Sequence, residues 1–237
     1  MPPLSAVLRR AAVDALTMPS IMLFASMTGF GSLARDSGLT LGVALASTAG
    51  VWGLPGQIAF AELYAGGSEA LAVVMAVSLA NARFLPMAVA FVPLLRAGLK
   101  RQAWVYGLVQ LMSINTWAAG LREFPALTGP LRRRYYLLFA AVCMTAGLAG
   151  TATGFYVTEA LSRPVALGLL FLNPLFFALP FAGTRGRTVI AALLLGAVAG
   201  PLFHLVSPDW GLLATGLVAG TAAFGLSRWL FKGSTAE

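Results

Sequence analysis

Apolar residues dominate this chain in long runs rather than at alternating or amphipathic spacing, and the runs recur from one end to the other. A window of roughly 20 residues, the length a helix needs to cross a bilayer, places spans near 12–33, 39–64, 70–95, 103–120, 135–157, 164–182, 187–206 and 209–231. Glycine, proline and the cations collect between them. The pattern predicts an all-α, polytopic integral membrane helical bundle of seven to eight transmembrane helices filling residues 1–237 as a single domain. A weak two-half organisation, about 1–120 and 130–237, accompanies it. The fourth span has the weakest signal, and a re-entrant fourth segment leaves seven.

Composition agrees with this reading: 59% of residues are hydrophobic and 10% charged, which leaves no stretch for a separate water-soluble domain. The segment from Met1 to Arg10 is short and contains prolines, so no cleaved signal peptide is expected. The net charge of +8 would suggest nucleic acid in a soluble protein. Here the cations sit at the ends of apolar runs, where cytoplasmic loops and anionic lipid account for them. With the N-terminus inside, Arg9, Arg10, Arg122, Arg132, Arg133, Arg134, Arg185, Arg187, Arg228 and Lys232 are cytoplasmic, and Arg35, Arg96, Lys100, Arg101 and Arg163 lie opposite. The positive-inside rule therefore favours N-in and C-in, with the group Arg96, Lys100 and Arg101 pulling the other way. The lone cysteine, Cys143, lies in an apolar segment and reads as a packing thiol.

Small residues recur at four-residue spacing in Gly42, Ala46 and Gly50, in Gly150 and Gly154, in Gly196 and Gly200, and in Gly216 and Gly220. Such pairs let helix backbones approach closely, either within the bundle or, for the last span, against a second membrane subunit.

Two spans carry helix breakers. Three glycines and Pro55 crowd the stretch from Gly50 to Gln57, and a regular helix is not expected to survive there. Proline removes a donor and clashes with the preceding turn, and bared backbone is tolerated at membrane depth only against protein or a wet cavity. Asn173-Pro174 and Pro180 repeat the theme in the sixth span. Broken helices are therefore expected near Gly53–Gln57 and near Asn173–Pro174, the pattern that points to a transporter site at the bilayer midplane. A proline kink kept for packing is the alternative, and it suits the sixth span better.

Arg83 stands inside an otherwise apolar run, Ala70 to Leu95. A guanidinium near the middle of a membrane helix costs about 2.5 to 3.5 kcal/mol even on insertion scales, so it is expected to face a protein-lined interior. Counting residues from the turns near Gly67 and Gly98, at about 1.5 Å per residue, brings Asn81 and Arg83 level with Val51 and Gly53 on one side. On the other they come level with Ser113 and Asn115. Thr17, Pro19 and Ser20 of the first span come near the same level. The candidate substrate-binding residues are Arg83, Asn81, Gln57, Gly53, Pro55, Gly56, Asn115, Ser113 and Asn173. A solute carboxylate suits the planar donor fork of Arg83 and the bare amides at a half-helix N-terminus. The competing reading is an internal ion pair, with Asp14 nearer in depth than Glu62; both stay open as coupling or ion-pair candidates.

These residues resemble a known family. The run from Pro19 through Leu95 is similar to the N-terminal half of the AzlC family, the large subunit of branched-chain amino acid exporters. The likeness is carried by Gly38-Leu39, Gly56-Gln57, Gly66-Gly67 and Asn81-Ala82-Arg83-Phe84-Leu85, and later by Asn173-Pro174-Leu175-Phe176-Phe177-Ala178-Leu179. The resemblance implies export of leucine, isoleucine, valine, methionine or similar hydrophobic amino acids from the bacterial inner (plasma) membrane, with a small AzlD-like membrane subunit as partner. A homo-oligomer is a further possibility. One departure stands out: where the family often carries an acidic pair in the fourth span, this chain reads Ser113-Ile114-Asn115-Thr116-Trp117. Proton coupling through acids there is then absent, and Asp14 or Glu62, a different substrate, or downhill transport takes its place.

No nucleophile, P-loop, HExxH or paired-carboxylate arrangement appears, so no enzymatic activity, metal or cofactor is expected. His204, beside Ser207, Pro208 and Asp209, reads as an interfacial histidine. Trp104, Trp210 and Trp229 suit interface belts. The leading expectation is a transporter subunit with a midplane site. A non-transporting membrane scaffold, or an exporter of another small zwitterionic or anionic solute, is the alternative.

Overall fold

Proline and capping signals decide where the long apolar runs divide. The computed structural model describes residues 3–96, 104–160, 162–182, 187–206 and 211–230, and every regular element among them is helical. Lys100, Arg101 and Trp210, and the side chains of Asn173, Pro174, Pro180, His204 and Trp229, lie outside the described residues.

The chain forms two compact units, Met1–Leu175 and Phe176–Glu237. In the first, α1 (Leu4–Leu16) and α2 (Met18–Asp36) meet at Thr17 with a bend of 41°. Pro19 sits at the start of α2, where its missing donor does no harm but where it stops α1 from running on. α3 (Leu41–Gly50) and α4 (Leu54–Ala65) are separated by Val51-Trp52-Gly53. Next, α5 (Ala70–Asn81) and α6 (Phe84–Arg96) are separated by Ala82-Arg83 and bent by 55°. α7 (Trp104–Gln110) and α8 (Ile114–Glu123) are separated by Leu111-Met112-Ser113.

The first four predicted spans are therefore each two helices, whereas the sequence reading expected a break in only the second of them. The missed signals are local. Pro86, three residues into α6, cannot donate to the carbonyl of Ala82, so the ladder from α5 ends there. Ser113 caps α8 through a capping box, its hydroxyl accepting from the Thr116 amide while the Thr116 hydroxyl accepts from the Ser113 amide at 2.7 Å. That start signal cuts the predicted 103–120 helix into pieces of seven and ten residues.

The break expected near Asn173–Pro174 is not present. α10 (Arg163–Ala182) runs uninterrupted through it. An isolated proline forfeits one backbone bond, and the capping or left-handed residue that ends a helix elsewhere in this chain is missing there.

α9 (Gly129–Val157) is the long central helix of the first unit. It continues into a short 3-10 turn, and together Gly129–Ala160 is the one described helix long and apolar enough to cross a membrane, or one of three if each bent pair counts as a single span. It begins a turn and a half before the predicted span, with Pro130 in its first turn and Arg132, Arg133 and Arg134 inside it.

α2 packs on α9 with almost no side chain between them. A Cβ on Gly31 would strike the carbonyl of Thr151, one on Gly150 that of Phe24, and one on Gly154 that of Thr28. The expected use of Gly150 and Gly154 is thus seen within the unit, while Gly42 and Gly50 of α3 have nothing in reach. Buried Phe30, Tyr135, Tyr136, Phe139 and Phe91 extend the core from this seam. Phe91 of α6 fills the space above Gly120 and stacks on Phe124 at 5.2 Å.

In the second unit α11 (Arg187–Val206) lies against α12 (Gly211–Leu230). Gly196, Gly216 and Gly220 face open space.

Candidate functional site

The interruption between α3 and α4 is built from residues that no helix tolerates together. The amides of Val51 and Trp52 both reach the Ser47 carbonyl, Trp52 then adopts a positive φ of 48°, and Gly53 turns to extended backbone before α4 starts. A non-glycine residue in the left-handed region is uncommon and holds only where its surroundings enforce it. Here the Trp52 ring is buried against the bare Cα of Gly147 on α9. Gly53 offers no side-chain cap, so the amides of the first turn of α4, the positive end of that helix, are without one.

Asn81, the last residue of α5, closes over this turn. Its side-chain amide occupies the space that a Cβ would fill on Gly53 and on Gly56. Gln57, one residue further, is fully buried and donates from Nε2 to the Thr48 hydroxyl at 3.0 Å. The Thr48 hydroxyl is 2.9 Å from that of Thr151, which joins α4, α3 and α9 by a polar chain in the core. Among the described residues Gln57 Oε1, Asn81 Oδ1 and Trp52 Nε1 are buried with no hydrogen-bond partner. Such atoms cost about 1–3 kcal/mol each and are rare in native structures.

A cavity of about 510 Å³ opens beside these breaks. Val51 and Trp52 supply one wall, Phe84, Leu85 and Ala88 a second, and Tyr106, Val109, Gln110 and Met112 the third. Three of the four interruptions thus border one space, lined mostly by apolar side chains. Gln110 also steadies the C-terminal end of α3 by donating to the Gly50 carbonyl.

Arg83 lies behind the cavity wall, next to Phe84, rather than in the core. It is exposed, and its guanidinium carbon is 5.4 Å from the centre of the Phe84 ring, a side chain of the cavity wall. It has no ion-pair partner among the described residues. Asp14, weighed as its partner, is held elsewhere: Oδ2 accepts from the Tyr135 hydroxyl at 2.7 Å and from Arg122 at 3.3 Å. Glu62 is exposed near the end of α4 and makes no ion pair among the described residues. Pro55 is in the first turn of α4. Ser113 and Asn115 are buried at the start of α8. The side chain of Asn173 is outside the described residues.

A second polar cluster was not singled out from the sequence. Glu123, buried at the end of α8, accepts from Arg10 of α1 at 2.8 Å and from Arg122 at 2.9 Å. With Asp14 and Tyr135 this ties α1, α8 and α9 together. The bond to Glu123 raises the pKa of Arg122 further above its ordinary value.

An all-helical build with apolar helices interrupted beside one cavity is the arrangement found in membrane solute-transport proteins. The family model described as AzlC protein matches residues 20–161, more than half of the chain, and the chain belongs to that family. The family is associated with branched-chain amino acid transport, and the chain is a transport-family subunit in that sense. The match spans the three interruptions that follow α2. No curated protein and no solved structure matches the chain.

Proposed function

We propose that the protein exports branched-chain or other hydrophobic amino acids across the bacterial inner membrane, through the cavity at the meeting of the helix interruptions. The solute is moved and not chemically altered. The observation that carries this reading is the apolar cavity bordered by three helix breaks in a chain of this family. Its walls suit an aliphatic side chain, and the uncapped first turn of α4 together with Arg83 suits a carboxylate. The bent pairs then act as single spans of a seven- or eight-helix bundle, with the N-terminus cytoplasmic. An AzlD-like small membrane subunit completes the transporter.

Arg83 makes no ion pair among the described residues, so its substitution tests binding with little cost to folding. Efflux from proteoliposomes loaded with labelled leucine, valine, methionine, alanine and glutamate, with and without the small subunit, should release the aliphatic members only. Arg83→Ala should cut that efflux at least tenfold while the purified protein stays monodisperse. Equal efflux from the variant, or equal release of glutamate and leucine by the wild type, would reject the site assignment.

A further inference from the structure

We propose that the indole N–H of Trp52 is a specificity-determining donor of the solute site and takes the carboxylate of the amino acid that the cavity holds. Trp52 is 4% exposed and lines the cavity, and its Nε1 is buried with no acceptor among the described residues. An indole nitrogen donates and never accepts, so neither an exchange of amide ends nor the turn of a hydroxyl settles it. A buried indole N–H normally has an acceptor, and in a cavity wall a ligand is the group that brings one. The inference rests on the transport reading and names one contact within it.

The backbone holds the ring in this wall at a cost. Trp52 is the one non-glycine residue with a positive φ among the described residues, a conformation that glycine would adopt without strain. Glycine would leave the wall with neither ring nor donor. A Cβ on Gly147 would stand 3.0 Å from Cζ3 of the indole and 3.3 Å from Cη2, so that edge of the ring rests on α9. Nε1 is bonded to the ring carbon opposite Cζ3, which puts the N–H on the side away from that contact.

The surroundings favour an anion. Trp52 and Gly53 lead directly into the uncapped first turn of α4, the positive end of that helix. A carboxylate brings two acceptor oxygens to this one stretch of donors. The other polar groups of the wall do not take its place: Gln110 gives its amide to the Gly50 carbonyl, and Tyr106 is exposed. Asn81 Oδ1 is also unmatched, over Gly53, and makes no bond to Trp52. Nε1 is covered in this structure, so the solute reaches it by displacing a side chain of the wall. A solute without a carboxylate gains nothing from that displacement, and the donor thereby selects for one.

The test uses the purified full-length protein in detergent, with and without the small subunit, and reads affinity from the ligand dependence of the unfolding midpoint. The ligands are leucine, 4-methylpentanoate, which lacks the ammonium group, and 3-methylbutylamine, which lacks the carboxylate. Trp52→Phe should weaken leucine and 4-methylpentanoate by about ten- to hundredfold, the worth of a hydrogen bond to a charged group, and leave 3-methylbutylamine unchanged. Putting 3-benzothienylalanine in place of Trp52 keeps both rings, sets sulfur where the N–H stands, and should do the same, which separates the donor from the bulk. In proton–nitrogen correlation spectra the Trp52 indole signal, the one of five that Trp52→Phe removes, should move downfield with leucine and stay in place with 3-methylbutylamine. Equal leucine affinity in the wild type and the benzothienylalanine variant, or equal weakening of all three ligands, overturns the role of Trp52 and leaves the transport reading standing. A wild type that binds no leucine, with or without the small subunit, overturns both.

Discussion

The seam between α2 and α9 and the layer where α3 to α8 are interrupted solve opposite problems with the same residue, glycine. Along the seam Gly31, Gly150 and Gly154 remove side chains so that two continuous helices touch backbone to backbone, and the Thr28 and Thr158 hydroxyls donate to carbonyls one turn earlier. In the layer Gly53 and Gly56 remove side chains so that another side chain, Asn81, can lie on bare backbone, and acceptors are left unmatched. Apolar content does not distinguish frame from site in this protein. What closes on the bare glycine does: in the seam it is the backbone of the facing helix, and in the layer it is a side-chain amide whose oxygen has no donor among the described residues.

The sharpest break of this contrast is a side chain forced into the seam. Gly154→Leu and Gly31→Leu should each cost about 3 kcal/mol or more, since the facing atoms are backbone and cannot move aside, and the protein should be lost from the monodisperse peak in size-exclusion chromatography. At the end of the layer, Glu123→Ala strands Arg10 and leaves Arg122 with Asp14 alone. Because both arginines are more than half exposed the loss is discounted from the buried-pair value to about 1–2 kcal/mol, read as a lower unfolding midpoint. Within the layer, Gln57→Leu removes one matched and one unmatched polar end and should move stability by no more than about 1 kcal/mol, read as the unfolding midpoint. Arg83→Ala, at an exposed position with no ion pair among the described residues, should change stability by about 0.5 kcal/mol or less, with its effect confined to efflux. A layer variant as damaging to folding as the seam variants would dissolve the distinction.

How much of this was legible beforehand depends on the range of the signal. The break at Val51–Gly53 could be read because three glycines and a proline stand together. The breaks at Ala82-Arg83 and at Leu111–Ser113 hang on one proline and one capping serine, and both were hidden by apolar runs that satisfy a span-length window equally well. Asn173–Pro174 shows the reverse error, where a proline is present and the helix continues. Residue counting from the turns put Asn81 level with Gly53, and the Asn81 side chain lies against the backbone of Gly53. Asp14 was weighed as the partner of Arg83 because it is nearer in depth than Glu62, but α1 turns at Thr17 and docks on α9, and Tyr135 of α9 and Arg122 of α8 take the carboxylate.

By itself the sequence determined that the chain is helical and apolar throughout, that its second long run is interrupted, and which family it belongs to. These depend on composition, local backbone chemistry and motif order, all of which are short-range properties. Only the tertiary structure decided which glycines are packed and which are open, which carboxylates are already committed, and which buried oxygens lack a donor. Those are properties of pairs of groups distant in the chain. A polar atom's partner is set by where another helix passes, and no window along the sequence contains that helix.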